Sequence, residues 1–271
     1  MKSLCSGVAR WNPKPLHQSG FTLTELVMVI VIIGILGVGV TRFITATVGG
    51  YVDTAQRQQL ATAGLLASEK MSRSLRNALP NSIRLNADAS CIEYIPILAG
   101  TNYTDLPLAA ASNSIAAVGA QLSSAVTGQV AVYPVTTAEL YTPGNTGPIT
   151  AATGVLPVGS DAVTITLSGN HQFDTESPTR RLFMVDQPRA FCVEGGQLFQ
   201  YNGYGFNAAT TLPPVGGSRA VLLTELTNAT NIFNYVPASL VRNAVINFRL
   251  LLSVGGDSWE TEQEVHLRNV P

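Results

Sequence analysis

The chain has 271 residues, with 16 Lys and Arg against 17 Asp and Glu, for a formal net charge of −1. That balance gives no electrostatic pull toward nucleic acid. Only 12% of residues are charged, against about a quarter in ordinary soluble domains, which argues against a cytosolic protein; the length allows one medium or two small domains.

Residues 1–20 carry Lys2, Arg10 and Lys14 and no acid. Residues 21–40 contain one charged residue, Glu25, among twelve Val, Ile and Leu. As a helix, this stretch would reach about 30 Å, the thickness of a bilayer's hydrocarbon core. Its aliphatic residues favour insertion by about 4 to 7 kcal/mol in total, against a cost of about 2.5 to 3.5 kcal/mol for one charge at mid-span. Glu25 lies near the start of the span, so insertion wins. The basic leader favours a cytoplasmic amino terminus and an extracytoplasmic head. Without the leader the balance becomes 13 basic to 17 acidic, about −4.

An acid within a span calls for a positive partner in the same layer. The span offers none, and the next basic side chain is Arg42. Scission after Gly20 would create one, because the new amino terminus at Phe21 would lie at the depth of Glu25 in a neighbouring copy. Two simpler readings stand beside this: a secretory signal peptide with residues 26–40 as its apolar region, and a plain signal anchor. Neither calls for a carboxylate at that place. A lipoprotein signal at Cys5 lacks a preceding apolar run.

Helix is predicted to continue to residue 79. Ala63, Ala67, Met71, Leu75 and Ala78 recur at three to four residue spacing, with Gln56, Arg57, Arg73 and Arg76 among the polar positions, and Pro80 ends the run. Gly34, Gly37, Gly39, Gly49 and Gly50 each lower helix propensity by up to about 1 kcal/mol relative to Ala, which predicts bending or local melting, or close approach of other helices.

Strand patterns follow at residues 92–97, 130–135 and 163–167, with Val163, Ile165 and Leu167 on one face. Gly195 and Gly196 predict a two-residue hairpin turn between FCVE and QLFQY. Further strands are predicted at 221–226, 232–236, 245–254 and 259–267, the last two joined by Gly255, Gly256 and Asp257. Residues 98–160 are rich in Ala, Gly, Ser, Thr and Pro, with Asp105 and Glu139 the only charges. They read as a loop-rich insertion with one strand and a short helix near 115–126. The predicted fold class is α+β: a long N-terminal helix, residues 21–79, packed on an antiparallel sheet within a head of residues 80–271.

Cys91 and Cys192 are the only cysteines beyond the leader. In an oxidising compartment such a pair reads as a disulfide; two buried free thiols are the alternative.

The order Gly20, then Phe21-Thr-Leu-Thr-Glu25, then an aliphatic helix resembles the class III signal of type IV prepilins and type II secretion pseudopilins. The resemblance implies cleavage after Gly20 by a membrane peptidase, methylation of the new terminus at Phe21, and a role for Glu25 in setting subunit register. It implies a single-pass protein of the bacterial inner membrane with a periplasmic head, later part of a pilus or pseudopilus. Its partners would be other pilins, met through the N-terminal helix. The segments RSLRNALPNSIR, FCVEGGQLFQYNGYGF and QEVHLRNVP resemble J-type minor pseudopilins, and more closely minor pilins of the mannose-sensitive haemagglutinin pilus. The family often has a proline shortly after the apolar run, and this chain has Arg42 there.

No catalytic residue, metal site or cofactor site is predicted. His17 lies in the leader, His171 and His266 are isolated, and no HExxH, GxSxG or phosphate-loop pattern occurs. Glu260, Glu262 and Glu264 alternate on one strand face, read as solvated in preference to a calcium site. After Asn77 there are 8 Arg against 14 acids, the wrong sign for nucleic acid. These features predict a minor pilin acting in pilus initiation or at the tip. The alternatives are a secretion pseudopilin, or a tip adhesin binding carbohydrate through Tyr201, Tyr204 and Phe206.

Overall fold

The computed structural model describes residues 20–238 and 242–267. The leader with Lys2, Cys5, Arg10, Lys14 and His17, and the last four residues of QEVHLRNVP, lie outside the described residues. The chain divides into two units, Met1–Thr54 and Ala55–Pro271.

Helix α1 spans Leu23–Arg76 and contributes to both units. It starts where Thr22 Oγ1 accepts the backbone N–H of Glu25 at 3.2 Å, which satisfies one of the free donors of the first turn. The α-helix runs without interruption through Gly34, Gly37, Gly39, Gly49 and Gly50, so the predicted melting does not occur. It ends at Arg76, three residues before the predicted stop. There the chain turns into main-chain pairing with the sheet: Leu79 N–H donates to Ile95 O at 2.8 Å, and Ile97 N–H donates to Asn77 O at 2.9 Å.

From Ala55 onward one face of α1 is covered by Leu60, Gly64, Ala67, Met71 and Leu75, all buried. Ala63, predicted on this face, is exposed. Gly64 takes the position instead, because a Cβ there would meet the Trp259 ring at 2.0 Å. Helix and strand can approach this closely only without a side chain.

The strands beyond α1 are β1 (Arg84–Leu85), β2 (Cys91–Tyr94), β3 (Ile97–Asp105), β4 (Ser112–Val118) and β5 (Val126–Val132). A single-turn α2 (Thr137–Leu140) precedes β6 (Ile149–Leu156), β7 (Ala162–His171) and β8 (Arg181–Val185). The chain ends with β9 (Arg189–Glu194), β10 (Gln197–Asn202), β11 (Ser218–Leu223), β12 (Phe233–Val236), β13 (Ala244–Val254) and β14 (Asp257–Leu267).

Three antiparallel layers result: a five-stranded sheet β1-β2-β9-β10-β11, a three-stranded sheet β12-β13-β14, and a closed barrel β3-β4-β7-β6-β5-β8. The fold class is α+β. Apolar side chains of α1, the first sheet and the second sheet share one core, including Met71, Leu75, Ile92, Phe191, Ile246 and Leu250. The Gly195-Gly196 turn joins β9 to β10 with both φ angles positive, 55° and 76°, and Glu194 opposite Gln197, as a two-residue hairpin requires. Gly255 and Gly256 do the same between β13 and β14, where Asp257 is the first strand residue and not part of the turn.

The stretch 98–160 departs most from expectation. It holds β4, β5, β6 and most of β3 where loops and one strand are predicted, and residues 115–118, the start of the helix predicted near 115–126, are strand within β4. Since β2 and β9 are neighbours in the first sheet, the six barrel strands form an insertion between them. Small residues belong here because strands of a narrow barrel pass close together. A Cβ at Gly128 would lie 2.4 Å from Val185 O, and one at Gly154 would lie 2.8 Å from Leu167 Cδ2. The interior is packed with Ile115, Val130, Leu156, Ile165, Leu182 and Met184. A separate seam with Leu79, Ile95, Tyr141, Phe183 and Val185 joins barrel to body.

Candidate functional site

The N-terminal segment carries the candidate residues Gly20, Phe21 and Glu25. Gly20 and Phe21 precede α1, and Phe21 is 82% exposed. A Cβ at Gly20 would meet nothing within 4 Å, and its φ lies outside the left-handed region, so the fold itself makes no demand for glycine there. Thr22 and Glu25 stand three apart at the helix start, in the order of a capping box. An acid in the first turn also faces the positive end of the helix dipole. Sequence reasoning missed this local role, although the Thr-x-x-Glu spacing carries its signal.

Side chains from Leu23 to Val52 are exposed. Within α1 an 18-residue stretch reaches a mean hydropathy of 2.6. Hydroxyls in and beyond it are satisfied within the helix: Thr41 donates to Gly37 O at 2.8 Å, Thr47 to Phe43 O at 2.8 Å and Thr54 to Gly50 O at 2.7 Å. Such bonds let a helix present hydroxyls to an apolar medium without unpaired donors.

In the head, Cys91 and Cys192 are directly opposite on β2 and β9 and form a disulfide. Nearby lies a buried ionic cluster that sequence reasoning did not identify. Glu93, with a side chain 1% exposed, pairs with Arg84 opposite it on β1. Arg84 also stacks over the Tyr141 ring at 3.5 Å and donates to Asn207 O at 2.7 Å and Ala208 O at 3.2 Å. Tyr204 donates its hydroxyl to Glu93 Oε1 at 2.8 Å, and Tyr141 donates to Ser82 O at 2.7 Å. Burial, then the Glu93 charge, push the Tyr141 phenol far above its ordinary value. Burial, then the Glu93 charge and hydrogen bond, do the same to Tyr204.

The aromatic residues considered for carbohydrate therefore have structural duties. Tyr201 is buried, donates to Glu194 and accepts from Arg219 at 3.2 Å. Tyr204 belongs to the ionic cluster, and Phe206 packs against the seam between barrel and body.

His171 is buried in the barrel, with ring nitrogens 3.1 Å from Gly144 O and 3.0 Å from Gly147 O. His266 lies exposed on β14, 2.7 Å from Glu264. Glu260, on the same exposed face, pairs with Arg249 at 2.5 Å. Among the described residues no cluster of three or more His, Cys, Asp or Glu is placed to hold a metal ion.

The family model described as the prokaryotic N-terminal methylation motif matches residues 16–41. No curated protein and no solved structure matches the chain. The matched segment contains Gly20, Phe21, Glu25 and the start of α1. Together with α1, the one helix among the described residues long and apolar enough to cross a membrane, it supports a membrane-anchored protein of the type IV pilin or pseudopilin kind.

Proposed function

We propose that the chain is a minor type IV pilin acting in pilus initiation or at the pilus tip, in a pilus resembling the mannose-sensitive haemagglutinin type. In this reading a prepilin peptidase cuts after Gly20, Phe21 becomes the methylated terminus, and Glu25 pairs with the terminal ammonium of a neighbouring subunit. The head, residues 80–271, lies in the periplasm until assembly. The observation that carries the reading is an exposed apolar helix whose first turn holds one carboxylate, five residues after a glycine for which the fold has no need. The inserted barrel supports a minor subunit, since it adds bulk that simple helix packing in a shaft does not require.

The Glu25 role is tested by Glu25→Gln and Glu25→Ala. Both should still insert and fold, because the apolar residues outweigh the acid's cost. Both should lower incorporation into filaments at least tenfold. Normal incorporation of either variant would refute the register role. Deletion of the gene should abolish surface pili while leaving exoprotein release intact; the opposite pattern would indicate a secretion pseudopilin.

A further inference from the structure

The head has a cleft of about 710 Å³ where the end of α1, strands β3 and β8 of the barrel, and β14 converge. Arg76 and Arg181 both line it, and neither has an acidic partner among the described residues. Arg57, Arg73, Arg84, Arg189, Arg219 and Arg249 each hold a carboxylate. Only five of the described arginines do not, and two of those five share this cleft.

Two amides and a hydroxyl of the cleft present acceptor oxygens. Asn77 Nδ2 donates to Ile97 O at 2.6 Å, and Asn102 Nδ2 donates to Thr179 O at 2.9 Å. Neither amide oxygen has a donor among the described residues. The Thr101 hydroxyl donates to Val118 O at 2.6 Å, so its oxygen can only accept. Phe183 and Ile97 add an apolar surface. A ligand complementary to this set carries a carboxylate for the guanidiniums, hydroxyl donors for the amide oxygens, and an apolar C–H face.

We infer that the cleft binds a single acidic sugar unit, a hexuronate, through Arg76 and Arg181. Planar guanidiniums suit a carboxylate because each can donate two parallel hydrogen bonds. The volume lies within the range of about 300 to 1,000 Å³ common for small-molecule sites. An extended peptide fits less well. β3 belongs to the closed barrel and pairs with both β4 and β8, which leaves no open edge for strand addition. The acidic balance after Asn77 disfavours a polyanion. The inference is independent of the roles proposed for Gly20, Phe21 and Glu25.

The test uses the full chain in a zwitterionic, sugar-free detergent, with binding read by titration calorimetry. Probes are galacturonate, glucuronate, galactose, glucose, inorganic phosphate and pentaglutamate. Saturable hexuronate binding is expected, with the neutral hexoses at least tenfold weaker. Arg76→Gln and Arg181→Gln should each weaken it at least fivefold while melting like the parent, and Arg242→Gln, which removes an arginine outside the cleft, should not. Absence of hexuronate binding, equal binding of neutral hexoses, tighter binding of phosphate or pentaglutamate, or indifference to both cleft substitutions would overturn the inference.

Discussion

Arg84 and Glu93 illustrate how one charge pair can hold distant parts of the chain together. Their side chains are 11% and 1% exposed, so water cannot replace either partner. Arg84→Met removes the cation paired with Glu93 and leaves that carboxylate buried, at an expected cost of about 3 to 5 kcal/mol. Urea unfolding of the variant should show this loss; a change below about 1 kcal/mol would mean that the carboxylate finds water or a proton at little cost. Nothing in the local sequence marked this pair. Glu93 sits in the all-buried strand CIEY, and its partner becomes evident only from the β1–β2 register.

The same cluster predicts a pH response. Tyr141 and Tyr204 hold their protons more tightly in the folded state than their ordinary value of 10.0. Above about pH 10 the unfolded chain releases these protons and the folded chain does not, so stability is full below pH 10 and falls as pH rises further. The slope reaches about 1.4 kcal/mol per pH unit for the fully buried Tyr141. Near-ultraviolet absorbance should show the phenolates of these two residues appearing only as the fold is lost. Ionisation of all eight tyrosines near pH 10 with the fold intact would contradict it.

Among the elements, α1 and the two hairpins were the most legible. Their signals are local: an unbroken aliphatic run, a Gly-Gly turn between alternating strands, and periodic apolar residues. The boundary and facing of α1 were less so. Pro80 was the visible stop, yet pairing of Asn77 and Leu79 with the residues just before and at the start of β3 ends the helix sooner. Ala63 fitted the apolar period as well as Gly64 did, and only the position of Trp259 distinguishes them. Gly64→Ala therefore runs against propensity. The helix gains up to about 1 kcal/mol, while displacing the Trp259 ring costs about 1 to 3 kcal/mol, so a net destabilisation is expected in thermal unfolding. A stabilised variant would mean that the ring moves aside freely.

The disulfide ties the two strands that flank the barrel insertion. Cys91 and Cys192 are separated by 101 residues, so the bond closes a loop containing the entire barrel. On the chain-entropy account, this stabilises the head by about 4 to 5 kcal/mol. The paired Cys91→Ser and Cys192→Ser variant should lose a comparable amount in denaturant unfolding, and no change would show that the unfolded chain is already compact there.

For the whole molecule, the sequence conveyed an anchored helix with an antiparallel head and missed the barrel. The reason is physical. Barrel strands whose outer face carries Ala, Gly, Ser and Thr lack the alternation of apolar with charged residues that marks an ordinary half-buried strand, so their composition reads as loop. A pattern as short and contiguous as that of the N-terminal candidates is legible in a sequence. The cleft with Arg76 and Arg181 was not, because three separate segments form it. What unites the molecule in the proposed account is the amino terminus, where scission supplies an ammonium for Glu25 of a neighbouring subunit. Mass spectrometry of the protein recovered from cells tests this most directly. The account predicts a chain beginning at Phe21 with one added methyl group; a chain that retains Met1, or begins beyond the apolar run, would contradict it.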